Sequence, residues 1–136
     1  MTMREAAVLA GRIAIAAGFL SAVADRFGVW GGPGSPQVAW GDWSHFVAYT
    51  AMLNWFLPVA FVPAVAAVAT IAEVTLAALL LVGYRLQWTA AASGGLLLLF
   101  AAAMTVALGP KAPLDYSVWA AAAAAFLVAS QSSKHR

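Results

Sequence analysis

One carboxylate, Glu73, lies inside an otherwise uncharged apolar run from Pro58 to Val82, about 25 residues long. Roughly 20 apolar residues suffice to cross a bilayer as a helix. An ionisable group at that depth costs on the order of 3 kcal/mol or more unless it is paired, protonated or hydrated. Such a residue marks either a functional site or a buried structural ion pair. At helical spacing its face carries Ala66, Ala69, Thr70 and Ala77, small enough to admit a close neighbour. Arg12 is the matching cation. It stands roughly 9 Å inside its own apolar segment and Glu73 roughly 14 Å inside its segment from the same end. An arginine side chain bridges that difference, so the expectation is an Arg12–Glu73 ion pair within a helical bundle. The pair could fix helix register, or form a polar pocket for a proton or a quinone-like head group.

A second set of polar residues gathers near the opposite ends of the segments: Asp25, Arg26, Asp42, His45, Tyr49, Asn54, Lys111, Asp115 and Tyr116. These read as interfacial solvation and helix capping, or as a surface for a substrate or partner. His45 and Tyr49 are one helical turn apart and could share a hydrogen-bonded proton path. No Ser/His/Asp order, metal-ligand spacing or phosphate-binding glycine motif occurs. There are no cysteines, which excludes disulfides, Cys-ligated zinc, iron–sulfur clusters and thiol chemistry within the chain. The only histidines are His45 and His135, so a haem held by two membrane histidines of this chain is not expected.

The elements that must position these groups are helices in a membrane. Of 136 residues 64% are hydrophobic and 9% charged, against about 25% charged in a soluble domain. The formal charge of +2 is small and no basic run points to nucleic acid. Four apolar spans can be marked, at about 6–24, 58–82, 89–108 and 115–130, forming a single all-α transmembrane domain over 1–136. Gly109-Pro110 is the stop of the third span, and Asp115 is the expected N-cap of the fourth. Small residues in the third span (Ala91, Ser93, Gly94, Gly95) and the fourth (Ala120–Ala125) read as packing faces, and could equally dock another membrane subunit.

The outer connection, 25–57, divides in two. Trp30-Gly31-Gly32-Pro33-Gly34-Ser35-Pro36 is turn chemistry. Trp43 to Leu57 is aromatic-rich, with His45, Tyr49, Leu53 and Phe56 at helical spacing, which predicts a short interfacial helix; a re-entrant element against the bundle is the rival. Ala22-Val23-Ala24 before Asp25 imitates a signal-peptide cleavage site. The small-residue stripe Gly11, Ala14, Gly18, Ser21 and Asp25 favours a retained packing helix instead. With four spans, Arg4, Arg12, Arg85, Lys134 and Arg136 share one side, and only Arg26 and Lys111 lie on the other. The positive-inside rule places both termini in the cytoplasm.

Several stretches, in order, resemble the DoxX-like family. They are the early Arg12, the stretch Phe19-Leu20-Ser21-Ala22-Val23-Ala24-Asp25-Arg26-Phe27-Gly28, Tyr49-Thr50 and Leu53-Asn54. Thr70 and Glu73 leading into Gly83-Tyr84-Arg85, and Lys111-Ala112-Pro113-Leu114-Asp115-Tyr116-Ser117-Val118, complete the set. The similarity runs from Arg12 to Ala129. It implies a small four-helix protein of the bacterial inner membrane. The family takes its name from a subunit of a membrane thiosulfate:quinone oxidoreductase, and some members are linked to oxidative-stress complexes.

The resemblance therefore implies an accessory subunit of a quinone-linked redox system, with no cofactor held by the chain itself beyond a bound quinone. Its partner would be another membrane redox protein or a second copy of the chain. Two alternatives stand beside it: a small proton- or cation-coupled transporter or channel-like oligomer with Glu73 as the ion site, and a purely structural assembly factor. Catalysis by the chain alone is not expected, since Glu73 and the pair Tyr49 and His45 lie at different depths.

Overall fold

A computed structural model describes residues 1–132. All regular structure among the described residues is helical: α1 (Met3–Arg26), α2 (Trp43–Leu53), α3 (Val62–Val82), α4 (Leu86–Leu108), α5 (Lys111–Asp115) and α6 (Val118–Ser132). Three of these helices, α1, α4 and α3 with the 3₁₀ turn Val59–Phe61 before it, are long and apolar enough to cross a membrane. α6 is also apolar but has 15 described residues, about 22 Å at 1.5 Å per residue. Lys134, His135 and Arg136, which enter the topology and histidine arguments above, lie outside the described residues.

α1 opens with a capping box. The Thr2 hydroxyl accepts from the Glu5 amide at 3.1 Å while the Glu5 carboxylate accepts from the Thr2 amide at 3.4 Å. The helix continues to Arg26, beyond the expected end at Ala24. α3 starts at Val62 rather than Pro58, which caps the 3₁₀ turn instead. The expected N-cap role of Asp115 is not observed. That residue ends the short α5, and Ser117, at φ 57°, turns the chain before α6 begins at Val118.

The helices pack in a ring, α1 beside α3, α3 beside α4, α4 beside α6 and α6 beside α1, with the α4–α6 and α1–α3 contacts the most extensive. The buried face of α3 is Val62, Ala66, Thr70, Glu73, Ala77 and Leu80, a spacing of three and four residues that follows one side of a helix. Ile15, Ala16 and Phe19 of α1, Leu80 of α3, Leu97 of α4 and Val128 of α6 join one core cluster. Small residues allow the closest approach between α4 and α6. A Cβ on Gly94 would stand 2.8 Å from the Phe126 ring. Among the stripe residues of α1, Gly11 meets Val128 in the same way, whereas Gly18 has nothing within 4 Å. The stripe is therefore only partly a packing face.

α2 packs on α3 and α4 and touches α1, burying Phe46 and Thr50. The chain leading to it is held by ring contacts, Phe27 stacking on Trp43 at 5.6 Å and Trp40 meeting Phe46 edge-on at 4.9 Å. Gly41 is the tight point of this connection. Its φ is +82° and a Cβ there would stand 2.4 Å from the Pro33 nitrogen. No side chain fits both constraints. Gly41→Ala is accordingly expected to lower the thermal unfolding midpoint in detergent by several degrees. Gly95→Ala, where a Cβ meets nothing within 4 Å, should hold or raise it through better helix propensity, by up to about 1 kcal/mol.

Candidate functional site

Glu73 is buried and paired, but its partner is Arg26. Arg26 Nη1 lies 2.5 Å from Glu73 Oε2, and both side chains are 3% exposed. The same Nη1 donates to Thr70 Oγ1 at 2.7 Å, and the Thr70 hydroxyl in turn donates to the Ala66 carbonyl at 2.9 Å. The Phe46 ring lies 3.7 Å from the guanidinium carbon and the Trp40 ring 5.3 Å from it. A desolvated cation over aromatic faces gains about 2 kcal/mol or more. Arg26 Nε and Glu73 Oε2 are both buried without a hydrogen-bond partner, although Oε2 stands in ion-pair contact with Arg26 Nη1.

The expected Arg12–Glu73 pair does not form. Arg12 donates from Nε to the Leu80 carbonyl at 2.8 Å and from Nη2 to the Leu81 carbonyl at 3.0 Å. These belong to the last turn of α3, whose carbonyls lack intrahelical partners and carry the negative end of the helix dipole. Gly83 closes that turn in the left-handed conformation at φ +82°, and a Cβ on it would stand 2.9 Å from Arg12 Nη2. The two arginines thus mark two levels of the α1–α3 contact. Their Cα atoms are about 21 Å apart along α1, whereas Thr70 and Leu80 are about 15 Å apart along α3. The arginine side chains absorb the remainder.

Asp25, the neighbour of Arg26, is also buried. Its Oδ2 accepts from the Ala39 amide at 2.8 Å, and its Oδ1 accepts from the Trp40 and Gly41 amides at 2.8 and 2.9 Å. A carboxylate bound by three amides needs no counter-cation of its own. Two adjacent residues therefore do different work. Asp25 gathers the connection, and Arg26 enters the bundle beneath the Trp40 that Asp25 holds in place.

The rest of the expected outer cluster separates into local contacts. Asp42 is the N-cap of α2, its Oδ1 accepting from the His45 amide and meeting His45 Nδ1, both at 2.8 Å. The His45 ring is thereby engaged with Asp42 rather than with Tyr49, and the expected proton path is not assembled. Tyr49 rests against Trp40 at 5.5 Å. Burial, with a smaller contribution from Tyr116, pushes its phenol above the usual tyrosine range. Asn54 Nδ2 donates to the Thr50 carbonyl at 3.0 Å at the end of α2. Lys111 Nζ and Asp115 Oδ2 form an exposed pair at 2.5 Å. No group of His, Cys, Asp or Glu among the described residues is arranged to hold a metal ion.

The ion pair borders a large, partly open and mainly apolar cavity of about 2120 Å³, whose walls include Gly18, Trp40, Phe46, Tyr49, Glu73 and Phe100. Sequence reasoning found Glu73 and missed the role of Arg26, together with Trp40 and Phe46. A signal was present. Arg26 lies seven residues after Phe19 and so falls on the same apolar stripe once α1 is extended to its end. Compared with family models, with curated proteins and with solved structures, the chain matches none.

Glu73→Gln would leave Arg26 as an uncompensated buried charge. A loss of about 3–5 kcal/mol is expected in the unfolding free energy measured by denaturant titration in mixed micelles. Replacing both partners by leucine should be less damaging than the two single losses summed, and an additive result would show that the two charges are not coupled. A second outcome concerns pH. Hydrogen bonds from the His45 amide and ring hold the Asp42 carboxyl below its ordinary value. Capping by Asp42 is then fully present above the unfolded aspartate pKa of about 3.9 and is lost as pH falls from there through the lower folded value. The protection factor of the His45 amide, its exchange rate relative to the intrinsic rate at each pH, should fall over that window, and Asp42→Asn should remove that fall.

Proposed function

We propose that the chain is a DoxX-like protein of the bacterial inner membrane that serves a quinone-linked redox system as an accessory subunit and holds a quinone-like molecule in its cavity. In this reading α1, α3, α4 and α6 are four spans and both termini are cytoplasmic. α2 caps the opposite end of the bundle beside the membrane surface. The electron-transfer centres belong to the partner, since the chain has no cysteine to supply a thiolate ligand.

The observation that carries the reading is the placement of Arg26 and Glu73. A pair serving helix register alone works equally well in a filled interface. Here it borders a cavity walled by aromatic rings and small residues. Cavities that take an organic molecule are typically apolar with a few convergent polar groups. This one combines a buried guanidinium, a carboxylate and the Thr70 hydroxyl.

The test is mass spectrometry of the protein extracted from its native membrane in mild detergent, reading co-purified proteins and retained quinones together. A stoichiometric redox partner together with bound quinone is the expected result. A bare homo-oligomer carrying neither would overturn the proposal and favour ion transport at Glu73, to be measured as pH-dependent flux in proteoliposomes.

A further inference from the structure

The charges around the cavity restrict what can enter it. Arg26 is balanced by Glu73 at 2.5 Å. The carboxylate of Asp25, next along α1, is saturated by the amides of Ala39, Trp40 and Gly41. His45 is engaged with Asp42, and burial holds the Tyr49 phenol above the usual tyrosine range. No cation without a counter-charge remains to receive an anionic head group, and no carboxylate without a counter-charge or amide partners remains for a cationic one. Two buried atoms remain without a hydrogen bond: Glu73 Oε2, which already stands against Arg26 Nη1, and Arg26 Nε, a donor that faces no acceptor. An unmade hydrogen bond of a buried charged group is costly, and an incoming acceptor would recover it.

Volume supplies the second constraint. Pockets for small molecules usually measure about 300–1,000 Å³, and this cavity measures about 2120 Å³. A ring-sized head at Arg26 would leave most of it empty. The space continues along α1 at Gly18, where a Cβ would meet nothing within 4 Å, in contrast to Gly94, which is pressed against Phe126. Gly18 therefore borders open room and not a helix contact, with Ala14 and Ser21 one turn away on the same wall.

We infer that the cavity binds a neutral amphiphile whose head presents a carbonyl oxygen to Arg26 Nε and whose single long apolar tail lies along α1 past Gly18. The inference rests on the quinone-linked reading and specifies its head and tail. It excludes fatty acids and anionic phospholipids as the preferred occupant. It also gives α2 a task. Phe46 covers the guanidinium at 3.7 Å, so seating the head requires this ring to swing aside.

The experiment uses the full chain in phosphatidylcholine nanodiscs, titrated with decylubiquinone and read by quenching of tryptophan fluorescence, with palmitate as competitor. Trp30 and Trp40 both line the cavity and report on its contents. Saturable quenching that excess palmitate does not reverse is expected. Gly18→Leu should weaken decylubiquinone binding by at least about tenfold while its thermal unfolding midpoint equals or exceeds that of the unsubstituted protein, because leucine is the better helix former. Displacement by equimolar palmitate would overturn the neutral-head selection while leaving the cavity as a binding site. Unchanged binding by Gly18→Leu would overturn the tail path. Absence of saturable quenching in the unsubstituted protein would sink this inference and the quinone-pocket reading together.

Discussion

Burial of the Arg26 guanidinium is the constraint on which the remaining structure depends. An ion taken from water into a low-dielectric interior costs several kcal/mol even after relaxation, and attraction to a counter-ion offsets this only when the geometry is good. Each neighbouring feature supplies part of that geometry. Glu73 gives the opposite charge, Thr70 an acceptor, and Phe46 and Trp40 aromatic faces. Trp40 is in turn positioned through the Asp25 carboxylate, which binds its backbone amide. The run of contacts passes from α1 through the connection to α2 and back to α3, so a loop that looks peripheral along the chain is part of the bundle's electrostatics.

The coarse architecture was legible because it follows from hydropathy and spacing. The long apolar helices, the turn-forming glycines and prolines near residue 30, and the start of α2 at Trp43 all follow from composition and helical periodicity. Glu73 was legible as a buried carboxylate because its surroundings are apolar on every side. Its partner was assigned wrongly for a physical reason. Depth along a helix can be counted from sequence, but the face a side chain occupies and the direction it leans cannot be fixed by counting from an uncertain helix end. Side chains lean toward the N-terminus of their helix, so an arginine in the last turn reaches back into the bundle. Asp25 and Arg26 looked like the polar edge of a span, yet the groups that satisfy them lie 14 to 16 residues away for Asp25 and 44 away for the Thr70 contact of Arg26.

Small residues carried an ambiguity that only packing resolves. The same alanine- and glycine-rich composition brings α4 and α6 together at Gly94 and Phe126, and leaves open space beside Gly18. A glycine on a helix face permits close approach but does not compel it. Whether a neighbour fills the space depends on where the adjacent helices diverge. Here α2 stands against α3 and α4, and the side of α1 around Gly18 faces the cavity. The groups that set the chemistry of the site and the residues that set its room therefore come from the same helix.

The separation of Arg26 from its contacts on α3 also bears on how the chain enters a membrane. When α1 is complete, Thr70 is still 44 residues from being made, and Glu73 follows it. During that interval the guanidinium has no bundle to receive it. The contacts that compensate the cation are also contacts between α1 and α3, so the register between these helices and the neutralisation of the charge depend on each other.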